Sequence, residues 1–171
     1  SNFIASAHNR AGQLVLEAQF ARLARSDARR VRIERIDGFV GLKAALPPAS
    51  RRALVLVDPP YEDKHDYARV AAALREAMRR FATGCYAIWY PQVRRREAET
   101  LARTLERWPG LRWLNIALSV ARPPPGGFGL HGSGVFVVNP PFGLEASMRT
   151  ALPYLVDALA QDPSAAWSLH G

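Results

Sequence analysis

Residues 54–61 read LVLVDPPY: four aliphatic residues, an aspartate, two prolines and a tyrosine. A continuous aliphatic run of this length is typical of a strand buried on both faces, as in a parallel sheet covered by helices. In an open sheet of that kind, ligands bind beyond the carboxyl ends of the strands, which is where Asp58 would lie. The stretch therefore predicts an α/β fold and a place in it for chemistry.

Strand-like and helix-like segments alternate on both sides of this stretch. Before it, short strands are predicted at 13–17 (QLVLE) and 31–36 (VRIERI), with a helix at 20–29 between them. After it, the apolar positions of 67–81 recur at three and four residues, as on one face of a helix, and CYAIWY at 85–90 follows as a strand. Two strand–helix–strand units predict a mostly parallel sheet.

The pattern changes in the last part of the chain, where a helix is followed by two strands with no helix between them. This predicts a C-terminal antiparallel hairpin, and its connection, ARPPPGGFGLHGSG, is rich enough in proline and glycine to predict a long loop. A last helix then closes the fold, and we expect a single domain over 1–171. The predicted bounds are 94–107 for the first helix, 111–121 and 135–138 for the strands, and 144–159 for the last helix.

The composition is that of one globular domain, with 171 residues, of which 49% are hydrophobic and 22% charged. No apolar run approaches the roughly 18 residues of a membrane span, and the opening SNFIASAHNRAG lacks the basic and apolar regions of a secretory signal. We therefore expect a cytoplasmic protein with no membrane partner, and a monomer is favoured. The single cysteine, Cys85, excludes an internal disulfide and a cysteine-based metal site, and we expect it to be buried in a strand.

The formal charge is +8, and Lys43 and Lys64 are the only lysines among 23 basic residues. Guanidinium groups match phosphate oxygens in a bidentate way, so an arginine-rich surface suits a nucleic-acid binder. The same composition also arises from nucleotide bias in a coding genome, with the arginines on solvated helix faces. Both explanations stay open.

The predicted hairpin loop contains the spacing of a dinucleotide-binding motif, with glycines at 127, 129 and 132. In that motif the glycines follow a strand and open a helix, whose amino terminus meets the pyrophosphate. Here they precede a strand, so we reject the phosphate-loop interpretation. His131 in the same loop has no partner at metal-ligand spacing among the other histidines, and no metal site is expected.

The turn after LVLV has the groups needed to bind an amine. Two prolines fix φ and remove two N–H donors, so the backbone carbonyls have no competing donors beside them. The ring of Tyr61 could stack on a flat base, a contact worth roughly 1–3 kcal/mol. If Asp58 and the carbonyl of Pro59 accept the two hydrogens of an adenine amino group, its nitrogen can pyramidalise and attack a methyl sulfonium. The alternative is a rigid strand-to-loop turn without chemistry.

A second stretch, VFVVNPPF at 135–142, repeats the pattern. Asn139 could also accept a hydrogen, and Phe142 could stack. Because its strand belongs to the late antiparallel pair, we expect it at the margin of the sheet, where no ligand site is expected. We interpret it as a structural stop before the last helix.

Longer runs around both stretches resemble one family. The runs are DGFVGLKAALPPASRRALVLVDPPYEDKHDY at 37–67, RRFATGCYAIWYPQV at 79–93 and SGVFVVNPPF at 133–142. They closely resemble the bacterial 23S ribosomal RNA adenine-N(6) methyltransferases of the RlmJ type, from Asp37 to about Leu159. The resemblance implies a Rossmann-like class I sheet, S-adenosylmethionine as cofactor, and ribosomal RNA as partner. It also implies catalytic roles for Asp58, Pro59, Pro60 and Tyr61.

The same resemblance implies cofactor-binding residues besides Asp58. Asp37 and Gly38, at the end of the strand VRIERI, match the family pair that contacts the adenine end of the cofactor. Glu17, at the end of QLVLE, resembles the acidic residue that holds the ribose hydroxyls, although the family's following histidine and proline are replaced by Ala18 and Gln19. Ser1 is a weaker candidate, because SNFIA resembles a family segment with a cofactor-contacting serine.

The chain also departs from the family. Family members begin with a histidine-rich segment and a first strand ending in a glycine loop, and these are absent from this sequence. That strand is central in the family sheet, so we expect this chain by itself to lack the middle of its sheet and to be inactive or nearly so. A DNA adenine-N(6) methyltransferase and a non-catalytic basic RNA-binding fragment stay open as alternatives. The sequence leaves the target nucleotide undetermined.

Overall fold

The computed structural model describes residues 3–6, 10–22, 31–126 and 129–171. The chain divides into two compact units, Ser1–Pro47 and Pro48–Gly171. The single domain expected over 1–171 stays a prediction. Within the described ranges, no helix is both long and apolar enough to cross a membrane.

The first unit is a strand–helix–strand unit followed by a helix. Strands β1 and β2 pair in parallel, with Phe3 opposite Val31 and Ser6 opposite Glu34. The elements are β1 (Phe3–Ser6), α1 (Arg10–Phe20), β2 (Val31–Glu34) and α2 (Gly38–Ala45).

The strand predicted at 13–17 is wrong, because these residues belong to α1. Val15 is the only β-branched residue of α1, and the alanines, leucines and glutamines around it favour a helix. Of the helix predicted at 20–29, α1 ends at Phe20 and residues 23–30 lie outside the described residues. The predicted kind of unit is therefore present, but its first strand and helix begin about ten residues earlier.

The second unit is a five-stranded sheet with three helices, in the strand order β3-β4-β6-β5-β7. Strands β3 and β4 are parallel, whereas β4–β6, β5–β6 and β5–β7 are antiparallel, so the sheet is mixed and not mostly parallel. The predicted C-terminal hairpin of β5 and β6 is confirmed. The elements are β3 (Leu54–Val57), α3 (His65–Arg80), β4 (Cys85–Gln92), α4 (Arg96–Glu106), β5 (Trp113–Ser119), β6 (Gly132–Val138), α5 (Leu144–Leu159) and β7 (Ala166–His170).

The core of this unit lies on both faces of the sheet. On one face, Tyr86, Ile88 and Phe136 are fully buried, and the Tyr86 hydroxyl donates to the carbonyl oxygens of Ala77 and Phe81 at the end of α3. On the other face, α5 and β7 complete a second cluster. Its buried members are Leu114, Val137, Leu152 and Leu169, with Cys85 half-buried against them.

The strand β3 has the predicted bounds but not the predicted burial. It forms one edge of the five-stranded sheet, and Leu54 and Leu56 are 72% and 67% exposed. The prediction of a strand buried on both faces is therefore wrong for this chain. Val55 and Val57 point to the opposite face and are half-buried.

Candidate active site

The DPPY turn lies where β3 ends beside a longer neighbour. Val57, the last residue of β3, pairs with Ile88 of the parallel strand β4. Beyond Ile88, β4 continues for four more residues to Gln92. Residues 58–62 therefore leave the sheet at the carboxyl ends of two parallel strands. This is the place in an α/β sheet where ligands bind.

Tyr61 points into the protein. It is 4% exposed, and its hydroxyl donates a hydrogen bond of 2.7 Å to the carbonyl oxygen of Trp89. Its ring centroid lies 4.6 Å from that of Tyr67 and 6.1 Å from that of Trp89. Burial, followed by the charges of Tyr67, Asp58 and Asp66, raises the pKa of Tyr61 well above its ordinary value. The prediction that this ring stacks on a target base is wrong for this geometry, because the ring is buried inside the protein beside Tyr67 and Trp89.

The backbone of the turn is held in an unusual conformation. Tyr61 has a φ of 56°, in the left-handed region that a bulky residue rarely adopts. The guanidinium Nη1 of Arg95 donates to the carbonyl oxygen of Tyr61 at 3.0 Å and to that of Glu62 at 3.4 Å. These charge-assisted bonds come from the loop after β4 and fix the end of the turn. Sequence reasoning missed Arg95, since nothing local distinguishes it from its arginine neighbours.

Asp58 is the exposed acceptor of the site. Within the described part of the chain, its carboxylate has no hydrogen-bond partner and no cation within ion-pair distance. Partial burial in the turn raises its pKa above the ordinary value of 3.8, because lost hydration disfavours the charged form. Pro59 beside it is half-buried and Pro60 is exposed, and neither has an N–H to compete for an acceptor. An unpartnered carboxylate on a stiff turn can take a hydrogen from a ligand.

The other predicted cofactor residues lie in the first unit. Asp37 is the N-cap of α2, and its Oδ1 accepts from the backbone N–H of Phe39 at 2.8 Å and of Val40 at 3.3 Å. Gly38 begins that helix and is exposed. Glu17 lies on α1 and not at a strand end, so the position on which its predicted ribose contact depends is wrong. Ser1 lies outside the described residues.

The NPPF turn, residues 139–142 after β6, lies at the opposite end of the sheet from the DPPY turn. Because β6 runs antiparallel to β4, its last residue Val138 is opposite Tyr86 near the start of β4. The Nδ2 of Asn139 donates to the carbonyl oxygens of Ala82 and Gly84, both at 2.8 Å. The margin position predicted for this stretch is wrong, because β6 lies between β4 and β5. The prediction of a structural stop is confirmed, since Asn139 ties two chain segments together and α5 begins at Leu144.

The glycine motif at 127, 129 and 132 is not followed by a helix. Gly127 lies outside the described residues, Gly129 has a φ of 114°, and Gly132 is the first residue of β6. His131 before it donates its backbone N–H to the carbonyl oxygen of Gln92. Burial, and after it the charge of Arg94, lowers the pKa of His131. No group of three or more metal-ligating side chains occurs in the ranges that the structure describes.

Comparisons with known proteins point to one family. The family model described as "Ribosomal RNA large subunit methyltransferase D, RlmJ" matches residues 9–170. Two curated relatives carry the name ribosomal RNA large subunit methyltransferase J. That of Haemophilus influenzae is 44% identical over 145 residues, covering 85% of this chain and 51% of the relative. That of Escherichia coli is 47% identical over 126 residues, covering 74% of this chain and 45% of the relative. The chain thus spans about half the length of these relatives.

A solved structure has the same fold. The crystal structure of a Legionella pneumophila protein superposes with a TM-score of 0.86 at 24% sequence identity. The match covers 99% of this chain and 60% of that protein. At this identity the likeness establishes the α/β fold alone.

Proposed function

The chain belongs to the RlmJ family of ribosomal RNA large subunit methyltransferases, and from this we propose that it carries the catalytic residues of an adenine-N(6) methyltransferase. The substrate is the exocyclic amine of an adenine in 23S ribosomal RNA, and the methyl donor is S-adenosylmethionine. That substrate places the protein in the cytoplasm. The observation that carries the proposal is the unpartnered carboxylate of Asp58 on a rigid turn at the carboxyl end of β3.

Asp58 and the carbonyl oxygen of Pro59 orient the target amine by accepting its two hydrogens. An adenine amino nitrogen is a poor nucleophile, because its lone pair is drawn into the ring. Hydrogen bonds to both N–H groups favour the pyramidal form, in which the lone pair is available for attack. S-adenosylmethionine, when bound, supplies an electrophilic methyl group on a sulfonium.

Asp58 is also the acceptor of the proton that the nitrogen must release once its new N–C bond has formed. Its raised pKa makes the carboxylate a stronger base than an ordinary aspartate. General-base assistance of this kind contributes about 100- to 10,000-fold to a rate.

Tyr61 and Arg95 act as positioning residues in this proposal. The hydroxyl of Tyr61 is bonded to the Trp89 carbonyl, and the guanidinium of Arg95 is bonded to the Tyr61 carbonyl. Together they join the turn to β4 on one side and to the loop after β4 on the other. Because orientation accounts for much of the rate in such a transfer, a displaced turn lowers catalysis without any lost contact to substrate.

Within the first unit, Asp37 and Gly38 are proposed to contact the adenine end of S-adenosylmethionine, as the family resemblance implies. Asp37 and Gly38 form the start of α2, where backbone N–H groups and a carboxylate occur together. Hydrogen-bonding groups of both signs suit an adenine edge, which has donors and acceptors. Cofactor binding is measured by calorimetry with S-adenosylmethionine, and Asp37→Ala is expected to weaken it.

For the fold, we propose a Rossmann-like class I sheet in which β3 is an inner strand. The exposed Leu54 and Leu56 support this, because an edge strand with two large apolar side chains in water is a liability for aggregation. A strand that this chain does not contain would pair with the outer edge of β3. The five-stranded sheet of the second unit would then form one part of a larger sheet.

The proposed function is tested by methyl incorporation from labelled S-adenosylmethionine into unmodified 23S ribosomal RNA, using the full protein that carries these residues. Wild type is expected to methylate the RNA, and Asp58→Ala is expected to abolish transfer while still binding RNA. Duplex DNA containing adenine is the comparison substrate, because the same chemistry on DNA requires the base to be flipped out. Preferential methylation of DNA, or full activity of Asp58→Ala, would contradict the proposal.

A further inference from the structure

Three consecutive arginines, Arg94 to Arg96, form the connection between β4 and α4 beside the DPPY turn. The middle one, Arg95, is directed at the turn through its bonds to the carbonyl oxygens of Tyr61 and Glu62. This contact fixes the connection at the carboxyl ends of β3 and β4. The flanking arginines are thereby held next to the strand end that carries Asp58.

Arg94 and Arg96 are exposed, and within the described residues neither guanidinium lies within ion-pair distance of a carboxylate. Several other arginines of this unit do have an acidic partner on their own helix. These are Arg69 with Asp66, Arg79 and Arg80 with Glu76, and Arg149 with Glu145. Arg94 and Arg96 therefore keep their full positive charge available to a ligand from solution.

Arg94 and Arg96 flank Arg95 in the segment near the DPPY turn and the start of β6. On one side, Arg95 between them contacts the turn. On the other side, Arg94 is close enough to His131 to lower the pKa of its ring, and the His131 backbone N–H is bonded to Gln92 at the end of β4. Arg94 is thus close to residue 131, and Arg96 begins α4 directly after the residue that contacts the turn.

We propose that Arg94 and Arg96 bind two phosphate groups of the RNA strand next to the target adenine, an inference that rests on the proposed function. A guanidinium matches phosphate oxygens in a bidentate way and remains charged at every physiological pH. Phosphate contacts fix the register and orientation of a nucleic acid, and this is what a base entering the Asp58 turn requires. Arg95 has a different role, since its donors are directed at the protein backbone.

The test is the salt dependence of RNA binding by the chain, measured by fluorescence anisotropy with a labelled single-stranded RNA of the target sequence. Each phosphate contact on a single strand contributes about 0.7 to the slope of log affinity against log salt. The double variant Arg94→Gln/Arg96→Gln is expected to lower that slope by about 1.4, which corresponds to about 25-fold weaker binding at 0.1 M salt. Unfolding midpoints within about 2 °C of wild type verify that the variant is folded.

The matched control is Arg52→Gln/Arg107→Gln, which removes the same charge elsewhere. Both residues are exposed, Arg52 lies two residues before the amino end of β3, and Arg107 follows α4 on the way to the amino end of β5. This control is expected to change the salt slope by less than half as much. An equal loss in the control, or unchanged binding in Arg94→Gln/Arg96→Gln, would overturn the proposal. Equal dependence of duplex DNA binding on the pair would overturn the assignment to RNA.

Asp58→Ala separates this proposal from the proposed function. It is expected to keep the wild-type salt slope of RNA binding, because Asp58 does not contact phosphate in this scheme. A full protein that binds RNA through the arginine pair but never supports methyl transfer would rule out the proposed function and leave the phosphate contacts standing. A full protein that still binds RNA with wild-type affinity and methylates it after loss of both arginines would rule out the phosphate contacts and leave the proposed function standing.

Discussion

The hydroxyl of Tyr61 donates a 2.7 Å hydrogen bond to the carbonyl oxygen of Trp89, so the aromatic residue of the DPPY turn is joined to the neighbouring strand. The turn therefore presents Asp58 to solvent and keeps Tyr61 inside. In the proposed reaction, Asp58 is the chemical group and Tyr61 holds the turn in place.

Tyr61→Phe is expected to lower the free energy of unfolding by about 0.5–1.5 kcal/mol, because the Trp89 carbonyl loses its donor. The rate of methyl transfer should also fall, since the turn is no longer tied to β4. Urea unfolding measures the first effect. The control is Tyr154→Phe on α5, where the side chain is 73% exposed and stability should not change. Equal stability of Tyr61→Phe and wild type would contradict the role given to this hydrogen bond.

Asp58→Asn is expected to be at least as stable as wild type at pH 7. Burial raises the pKa of Asp58, so the charged form is disfavoured in the folded state relative to the unfolded state. The stability that the protonated group contributes is present below the unfolded pKa and is lost as pH rises through the folded pKa. Asparagine is uncharged throughout and avoids this loss.

Asp63→Asn is expected to change the stability of the protein at pH 7 in the opposite direction to Asp58→Asn. The backbone N–H and the ring of His65 donate to Asp63 and lower its pKa, so its contribution to stability is present above the unfolded pKa and is lost as pH falls. Thermal unfolding at pH 7 should therefore show Asp63→Asn at or below wild type and Asp58→Asn at or above it. The reverse order would contradict the unpartnered state of Asp58.

Asn139→Ala is expected to destabilise the protein by about 0.5–1.5 kcal/mol, because the carbonyl oxygens of Ala82 and Gly84 lose a shared donor. Asn139→Gly relieves the strain of a φ of 51° yet still removes the donor, so it isolates the hydrogen bonds from the backbone effect. Both variants should keep the wild-type rate of methyl transfer per folded molecule, since the NPPF turn lies at the end of the sheet opposite to the DPPY turn. A lower rate of methyl transfer per folded molecule would show that the NPPF turn takes part in the reaction.

Leu54→Thr with Leu56→Thr is expected to change the free energy of unfolding of this chain by less than about 0.5 kcal/mol, because both side chains are largely exposed. Self-association of the chain, measured by sedimentation, should decrease. Val55→Ala on the opposite face is the control and should cost roughly 1 kcal/mol through lost burial. A similar loss of stability in the leucine variant would show that this face of β3 is covered.

Local patterns predicted the elements whose signals are self-contained. LVLV and the helix at 144–159 have the predicted bounds, because prolines and glycines interrupt the chain beside both. The short apolar run of QLVLE has no such boundary, and three consecutive apolar residues fit a strand or a helix equally well. The edge strand β7 was missed for a related reason, since five residues at the chain's end become a strand only through pairing with β5.

The position of the candidate catalytic residue was predicted better than the packing around it. The position of Asp58 at a strand end follows from the fold class and the strand pattern alone. The inward direction of Tyr61 depends on its partner Trp89, which lies 28 residues away in sequence, and the role of Arg95 depends on a contact across 34 residues. Such contacts arise from the register of β3 on β4, which no local pattern specifies.

The most direct test of the central claim is the single-turnover rate of methyl transfer by Asp58→Asn in the full protein, with S-adenosylmethionine and target RNA both saturating. We predict a rate about 100- to 10,000-fold below that of wild type, with an RNA affinity within about twofold of wild type, because only the proton acceptor at the strand end is lost. A rate within tenfold of wild type would contradict the claim that this carboxylate makes the adenine nitrogen reactive.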